Sequence, residues 1–146
     1  MAHSHQKQDL QMESALATSP FRTKSHGIVI TVVPQLSADE TVPDRLLFVY
    51  RYTIRIHNES NETVQLINRH WIIKDSLGNS EEVQGEGVVG NKPILSPGQE
   101  FTYTSFCPLK TPVGSMEGHY EMKRPDGSMF RAEIGEFFLK DQTLIN

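Results

Sequence analysis

At 146 residues and 16.5 kDa the chain is long enough for one domain with a core of its own and too short for two of ordinary size. Lys and Arg number 14 against 18 Asp and Glu, a net charge of −4 with a pI near 5.8, which excludes a global basic field for nucleic acid or anionic lipid. The single cysteine, Cys107, excludes an intramolecular disulfide, and no stretch approaches the ~18 apolar residues of a membrane-spanning helix. With no apolar leader either, the expectation is a cytoplasmic protein that binds neither nucleic acid nor membrane.

Residues 1–24 are polar and lack a usable period, so they read as a flexible N-terminal tail, and residues 25–142 as the domain. His3 and His5 around Ser4 give part of the tail the look of an expression leader, and a weak amphipathic helix over Leu10 to Leu16 is the other reading of that stretch.

From His26 onward the period is two, that of a strand with one buried face. Ile28, Ile30 and Val32 form a first run, which Pro34 is expected to end. Phe48, Tyr50, Tyr52, Ile54 and Ile56 then alternate with Arg51, Thr53, Arg55 and His57. A third run spans Thr63 to Asp75 and changes parity, with Val64 and Leu66 even and Trp71 and Ile73 odd. A β-bulge near Asn68-Arg69-His70 restores a single apolar face. Ser80 to Gln84 pairs back as a hairpin, and its Glu81 and Glu82 point to opposite faces, so they form no acid/base couple. Phe101 to Phe106, Met116 to Met122 and Phe130 to Leu139 complete the set, the last two joined by the Pro125-Asp126-Gly127 turn.

Seven to eight short strands with frequent turn signals and no convincing helix point to an all-β fold: an antiparallel β-sandwich of immunoglobulin or fibronectin type III kind, with a small barrel as the competing closure. Trp71 reads as a core plug in a central strand. An exposed sandwich edge admits a homodimer.

Catalytic and metal chemistry find no home in the pattern. The histidines are dispersed over different strands without ligand spacing, and His57 and His119 are expected on wet faces, so neither a metal nor a cofactor is expected. Cys107 reads as a half-buried, structural thiol.

Gly85-Glu86-Gly87-Val88-Val89-Gly90 spells G-x-G-x-x-G, but Pro93 and Pro97 forbid the helix that a dinucleotide loop needs after it. Three readings remain for this loop: a compact chain crossing that only glycines allow, a protein-binding surface, or an anion-binding nest of amides helped by Lys92 and by Arg69 or His70. The candidate binding residues are therefore Gly85, Glu86, Gly87, Gly90, Lys92, Arg69 and His70, and Glu86 is the single acid or base beside the glycines.

The runs Asn68-Arg69-His70-Trp71 and Glu82 to Gly90 resemble the ApaG (CorD) family. So do Leu95-Ser96-Pro97-Gly98, Tyr103-Thr104-Ser105, Thr111 to Tyr120 and the Pro125-Asp126-Gly127 turn, the resemblance covering about residues 26 to 140. It implies a fibronectin-type sandwich. It also implies a link to cobalt resistance and magnesium efflux, proximity to a dinucleoside tetraphosphate hydrolase gene, and no established enzymatic activity. Similar domains in an F-box ubiquitin-ligase subunit and a polymerase-interacting protein imply protein binding. The expectation is a non-enzymatic interaction module with a protein partner. Its rival is a binder, or hydrolase, of pyrophosphate or dinucleoside polyphosphates, which requires a phosphate-bearing small molecule at the glycine loop.

Overall fold

Strand β3, Phe48–Asn58, buries Phe48, Tyr50, Tyr52, Ile54 and Ile56 on one face and leaves Arg51 and Arg55 in water, as its alternation requires. The computed structural model describes residues 21–141. Around β3 one antiparallel sheet is ordered β1-β2-β3-β7, with β1 Phe21–Ser25, β2 Ile28–Leu36 and β7 Glu100–Leu109. The second is ordered β5-β4-β8-β9, with β4 Val64–Asp75, β5 Ser80–Glu86, β8 Gly114–Lys123 and β9 Met129–Leu139, and the two-residue β6 Ile94–Leu95 also pairs with β4. A short 3-10 turn, Pro43–Arg45, is the only helical element among the described residues. The fold is the antiparallel β-sandwich that the period-two pattern calls for, with two strands more than that pattern makes visible.

One core runs between the sheets. Trp71 of β4 packs edge-on against Tyr52, Tyr120 and Phe137, with ring centroids 5.7, 6.3 and 5.9 Å away, and so ties β3 to β8 and β9. Tyr103 of β7 and Tyr120 of β8 share a hydrogen bond between their hydroxyls, joining the sheets inside the core. Burial raises both phenols, so each stays protonated and needs its partner. The expected bulge in β4 is present: the β4–β8 register shifts between Leu66 and Asn68, and both Leu66 and Trp71 are buried.

Three details depart from the sequence reading. Residues 21–24, expected in the tail, belong to β1, where Phe21 packs on Phe137 and Phe138. The Ser25 and Thr23 hydroxyls accept hydrogen bonds from the backbone N–H groups of Glu133 and Gly135, so a polar strand covers the free edge of β9. Residues 1–20, with the rest of the expected tail, and residue 142 at the expected domain end lie outside the described residues. Pro34 does not end its strand: β2 continues to Leu36 opposite Tyr50, while β1 reaches only as far as Val32. Among the described residues Pro34 has a partner on β3 alone, and a proline is tolerated where its missing N–H is not needed by a neighbouring strand. Cys107 is fully buried rather than half-buried, and that burial, with the Glu81 carboxylate second, pushes its thiol up to about 12.

The tyrosine pair yields a sharp expectation. Tyr103→Phe strands the Tyr120 hydroxyl and costs about 1–3 kcal/mol, whereas the double variant with Tyr120→Phe leaves no orphan and costs less than the sum of the two single changes. Urea unfolding of the three variants measures this, and strict additivity would contradict the inter-sheet bond.

Candidate functional site

The bulge decides which way Arg69 and His70 point. Leu66 and Trp71 both face the core, so Arg69 shares the inner side of β4 with Trp71, and His70 faces out. Arg69 lies opposite Gly85 on β5, and its guanidinium covers that glycine so closely that a Cβ there would meet three of its atoms at 2.8–2.9 Å. From this position Arg69 Nη1 donates to the carbonyl oxygens of Glu86, at 2.8 Å, and Gly87, at 2.9 Å. Gly85 thus leaves room for a side chain, its own backbone angle being ordinary.

The amides of the loop are engaged as well. Gly87 N–H donates to the carbonyl of Ile67, the bulged residue, at 2.8 Å. Val88 and Asn91 exchange reciprocal backbone hydrogen bonds of 2.8 Å around Val89, at φ 42, and Gly90, at φ 81. Positive φ at both central residues is the signature of a type I′ turn, which favours Asn-Gly; a β-branched residue at the first position is strained. The Val89 side chain is exposed, as is Ile94 two residues past Lys92. Lys92 Nζ stands 3.5 Å from Glu86 Oε2. The structure therefore gathers Gly85, Glu86, Gly87, Gly90, Lys92 and Arg69 into one loop, with the Gly87, Val88 and Asn91 amides turned inward.

His70 belongs to a different surface, the outer face of the second sheet. Its Nε2 donates to Glu82 Oε1 at 2.5 Å, and its ring meets that of His119, directly across the β4–β8 ladder, at a centroid distance of 4.9 Å. Around this pair is a cleft of about 480 Å³ walled by Asn68, His70, Gln84, His119, Glu121 and Arg131, with Arg69, Gly85 and Glu86 shared between it and the loop. His119 is only 8% exposed, a correction to its expected place on a wet face: it points outward, but neighbouring side chains cover it. Desolvation, then the Arg131 guanidinium and the His70 ring, hold its pKa below the usual imidazole value against the pull of Glu133 and Glu121. No group of three or more His, Cys, Asp or Glu among the described residues is placed to hold a metal ion.

Period-two reasoning found the loop but not the cleft, whose residues come from four strands. The signal was available in the pairing: once β4, β8 and β9 are aligned, Asn68 faces Glu121 and Glu121 faces Arg131.

The model of the family described as the ApaG domain matches residues 38–124, the stretch that carries β3 to β8 and with them the loop and three walls of the cleft. The chain belongs to the ApaG family. Protein ApaG of Methylobacterium sp. (strain 4-46) is 45% identical over 119 residues, covering 82% of this chain and 92% of that protein. Protein ApaG of Anaeromyxobacter dehalogenans (strain 2CP-1 / ATCC BAA-258) is 50% identical over 113 residues, covering 77% and 89%. A solved structure of a Bordetella pertussis protein named ApaA superposes with a TM-score of 0.77 at 41% identity, covering 79% of this chain and 94% of that one. Strand β1, which seals the β9 edge, lies before the matched stretch of the ApaG model.

Two expectations follow for the site. Gly85→Ala displaces the Arg69 guanidinium, and Arg69→Ala removes it; either change frees the loop carbonyls and speeds amide exchange at Gly87, Val88 and Asn91, and the double variant adds little to the single ones. Equal, additive effects on exchange would show that the two residues act separately. His119 also imposes a pH dependence. Its folded pKa lies below the unfolded value of about 6.5, so the unfolded chain binds the proton first and stability drops as pH falls from about 6.5 towards the folded value. In urea unfolding at several pH values, His119→Gln flattens the slope in that window, the surrounding Glu82, Glu121, Glu133, Arg131 and His70 being retained.

Proposed function

We propose that this ApaG-family domain is a non-enzymatic interaction module that binds a protein partner through the glycine loop, with Val89 as its apolar tip and Glu86, Lys92 and Ile94 around it. The observation that carries this reading is Val89 itself. A β-branched side chain is held at φ 42 and left exposed at the end of a loop tied down by Arg69 and by reciprocal turn bonds. Left-handed backbone costs an L-residue about 1–2 kcal/mol, and strain of that kind persists where surrounding structure enforces it and function uses it. A rigid loop that presents an apolar group at no further ordering cost suits recognition. The link to cobalt resistance and magnesium efflux that comes with the family then belongs to the partner, on which the domain acts in the cytoplasm.

The rival reading, a binder or hydrolase of pyrophosphate or dinucleoside polyphosphates, has weaker support. A phosphate nest needs free amides, and those of Gly87, Val88 and Asn91 are already bonded within the protein, while Lys92 faces Glu86.

Val89→Asn converts the turn to Asn-Gly, relieving strain and raising stability by about 1 kcal/mol in thermal unfolding. The same variant loses the partner that affinity capture recovers with the wild-type chain. A more stable variant that still captures the same partner would sink the proposal, and saturable diadenosine tetraphosphate shifts confined to residues 85–92 would transfer support to the rival.

A further inference from the structure

The outer-face cleft carries a second site, which adjoins the loop through Arg69, Gly85 and Glu86 but does not include Val89. His119 is 92% buried from its 8% exposure, and neither ring nitrogen has a hydrogen bond to a described residue. Yet no sealed, unpartnered polar atom occurs among the described side chains. Its nitrogens therefore open into the cleft it lines, offering one donor and one acceptor from a neutral ring. Both ring positions can therefore bond a molecule that enters the cleft.

One row away, Glu121 and Arg131 stand directly opposite each other across β8 and β9. They form no ion pair: Glu121 takes a bond from Asn68 Nδ2 at 3.3 Å, and Arg131 has no hydrogen-bond or ion-pair partner among the described residues. A carboxylate and a guanidinium that do not close on each other leave both heads available to a third molecule. A simple anion reaching Arg131 and Arg69 meets Glu121 and Glu86, and a simple cation reaching the carboxylates meets the two guanidinium groups. A molecule with both charges satisfies each wall. The volume of about 480 Å³ lies in the range of small-ligand sites, and the lining is more polar than apolar and carries charges of both signs, which suits a charged ligand.

We propose that this cleft binds a small zwitterion, a free amino acid or a short peptide, with its carboxylate on Arg131, its ammonium on Glu121, and His119 and Gln84 supplying neutral hydrogen bonds. Guanidinium grips carboxylate with two parallel bonds, and a dry, neutral imidazole discriminates by hydrogen-bond direction without adding charge.

The test is an NMR titration of the full chain, following the His119 ring and the Glu121 and Arg131 side chains, with the common amino acids and glycylglycine at up to tens of millimolar. Saturable shifts at all three residues are expected from at least one zwitterion, with N-acetylglycine and glycinamide, each keeping one charge, at least about tenfold weaker. Glu121→Gln and Arg131→Gln, at surface strand positions, each weaken that binding by about tenfold with the strand signals unchanged. Val89→Asn leaves it intact, which separates this site from the loop. No saturable shift at His119 from any zwitterion overturns the proposal, as does binding of N-acetylglycine or glycinamide as tight as that of the zwitterion.

Discussion

Ile67, the extra residue between Leu66 and Asn68 in β4, is the constraint on which both surfaces rest. Without it, Leu66 and Trp71 could not share a face, because side chains alternate strictly and their numbers differ in parity. With it, Trp71 reaches Tyr52, Tyr120 and Phe137, Arg69 turns inward and His70 turns out. On the β5 side the register is unbroken, and the Ile67 carbonyl accepts from the Gly87 amide one position beyond the Asn68–Glu86 pair. One inserted residue thus completes the core and aims two side chains, and it also supplies the carbonyl that holds the Gly87 amide, the kind of task for which bulges are retained.

The loop illustrates how strain is held in place. Val89 would relax if the turn could open, but Arg69 fixes Glu86 and Gly87 by their carbonyls and the Val88–Asn91 pair closes the turn. Gly87 cannot be replaced without a Cβ within 2.4 Å of the Asn91 carbonyl oxygen, so the crossing of the chain is as tight as backbone allows. The G-x-G-x-x-G pattern therefore has a complete structural reason: Gly85 makes room for a guanidinium, Gly87 for a carbonyl, and Gly90 supplies positive φ in the turn.

Most of the sandwich was legible because β3, β7, β8 and β9 have apolar faces that alternate with polar ones, and the bulge was legible as a break in that parity. Strand β1 was not, since Arg22 and Lys24 face water and Thr23 and Ser25 spend hydroxyls on the β9 edge; a strand that docks by polar contacts looks like a tail. The inward course of Arg69 was hidden for a related reason. A charge is read as solvent-facing unless its carbonyl partners are known, and these come from a loop 17 and 18 residues away. The strain at Val89 leaves no trace in composition, because valine at a turn position carries no turn signal. The cleft required the register of β4, β8 and β9 before its residues could be seen as neighbours.

The titratable groups set the character of these surfaces. General acid–base catalysis works best with a group poised near the working pH. The large shifts here run the other way: burial drives the Tyr50 phenol up to about 12 and the Cys107 thiol up to about 12, where both stay protonated, and burial also lowers the pKa of His119, which favours its neutral form. Such shifts move the phenol and the thiol away from a change of charge near neutral pH and favour the uncharged imidazole there. For His119 this has a direct consequence. Above its lowered pKa the imidazole is neutral and offers one donor and one acceptor, while the charges of Glu121 and Arg131 do the electrostatic work on either side.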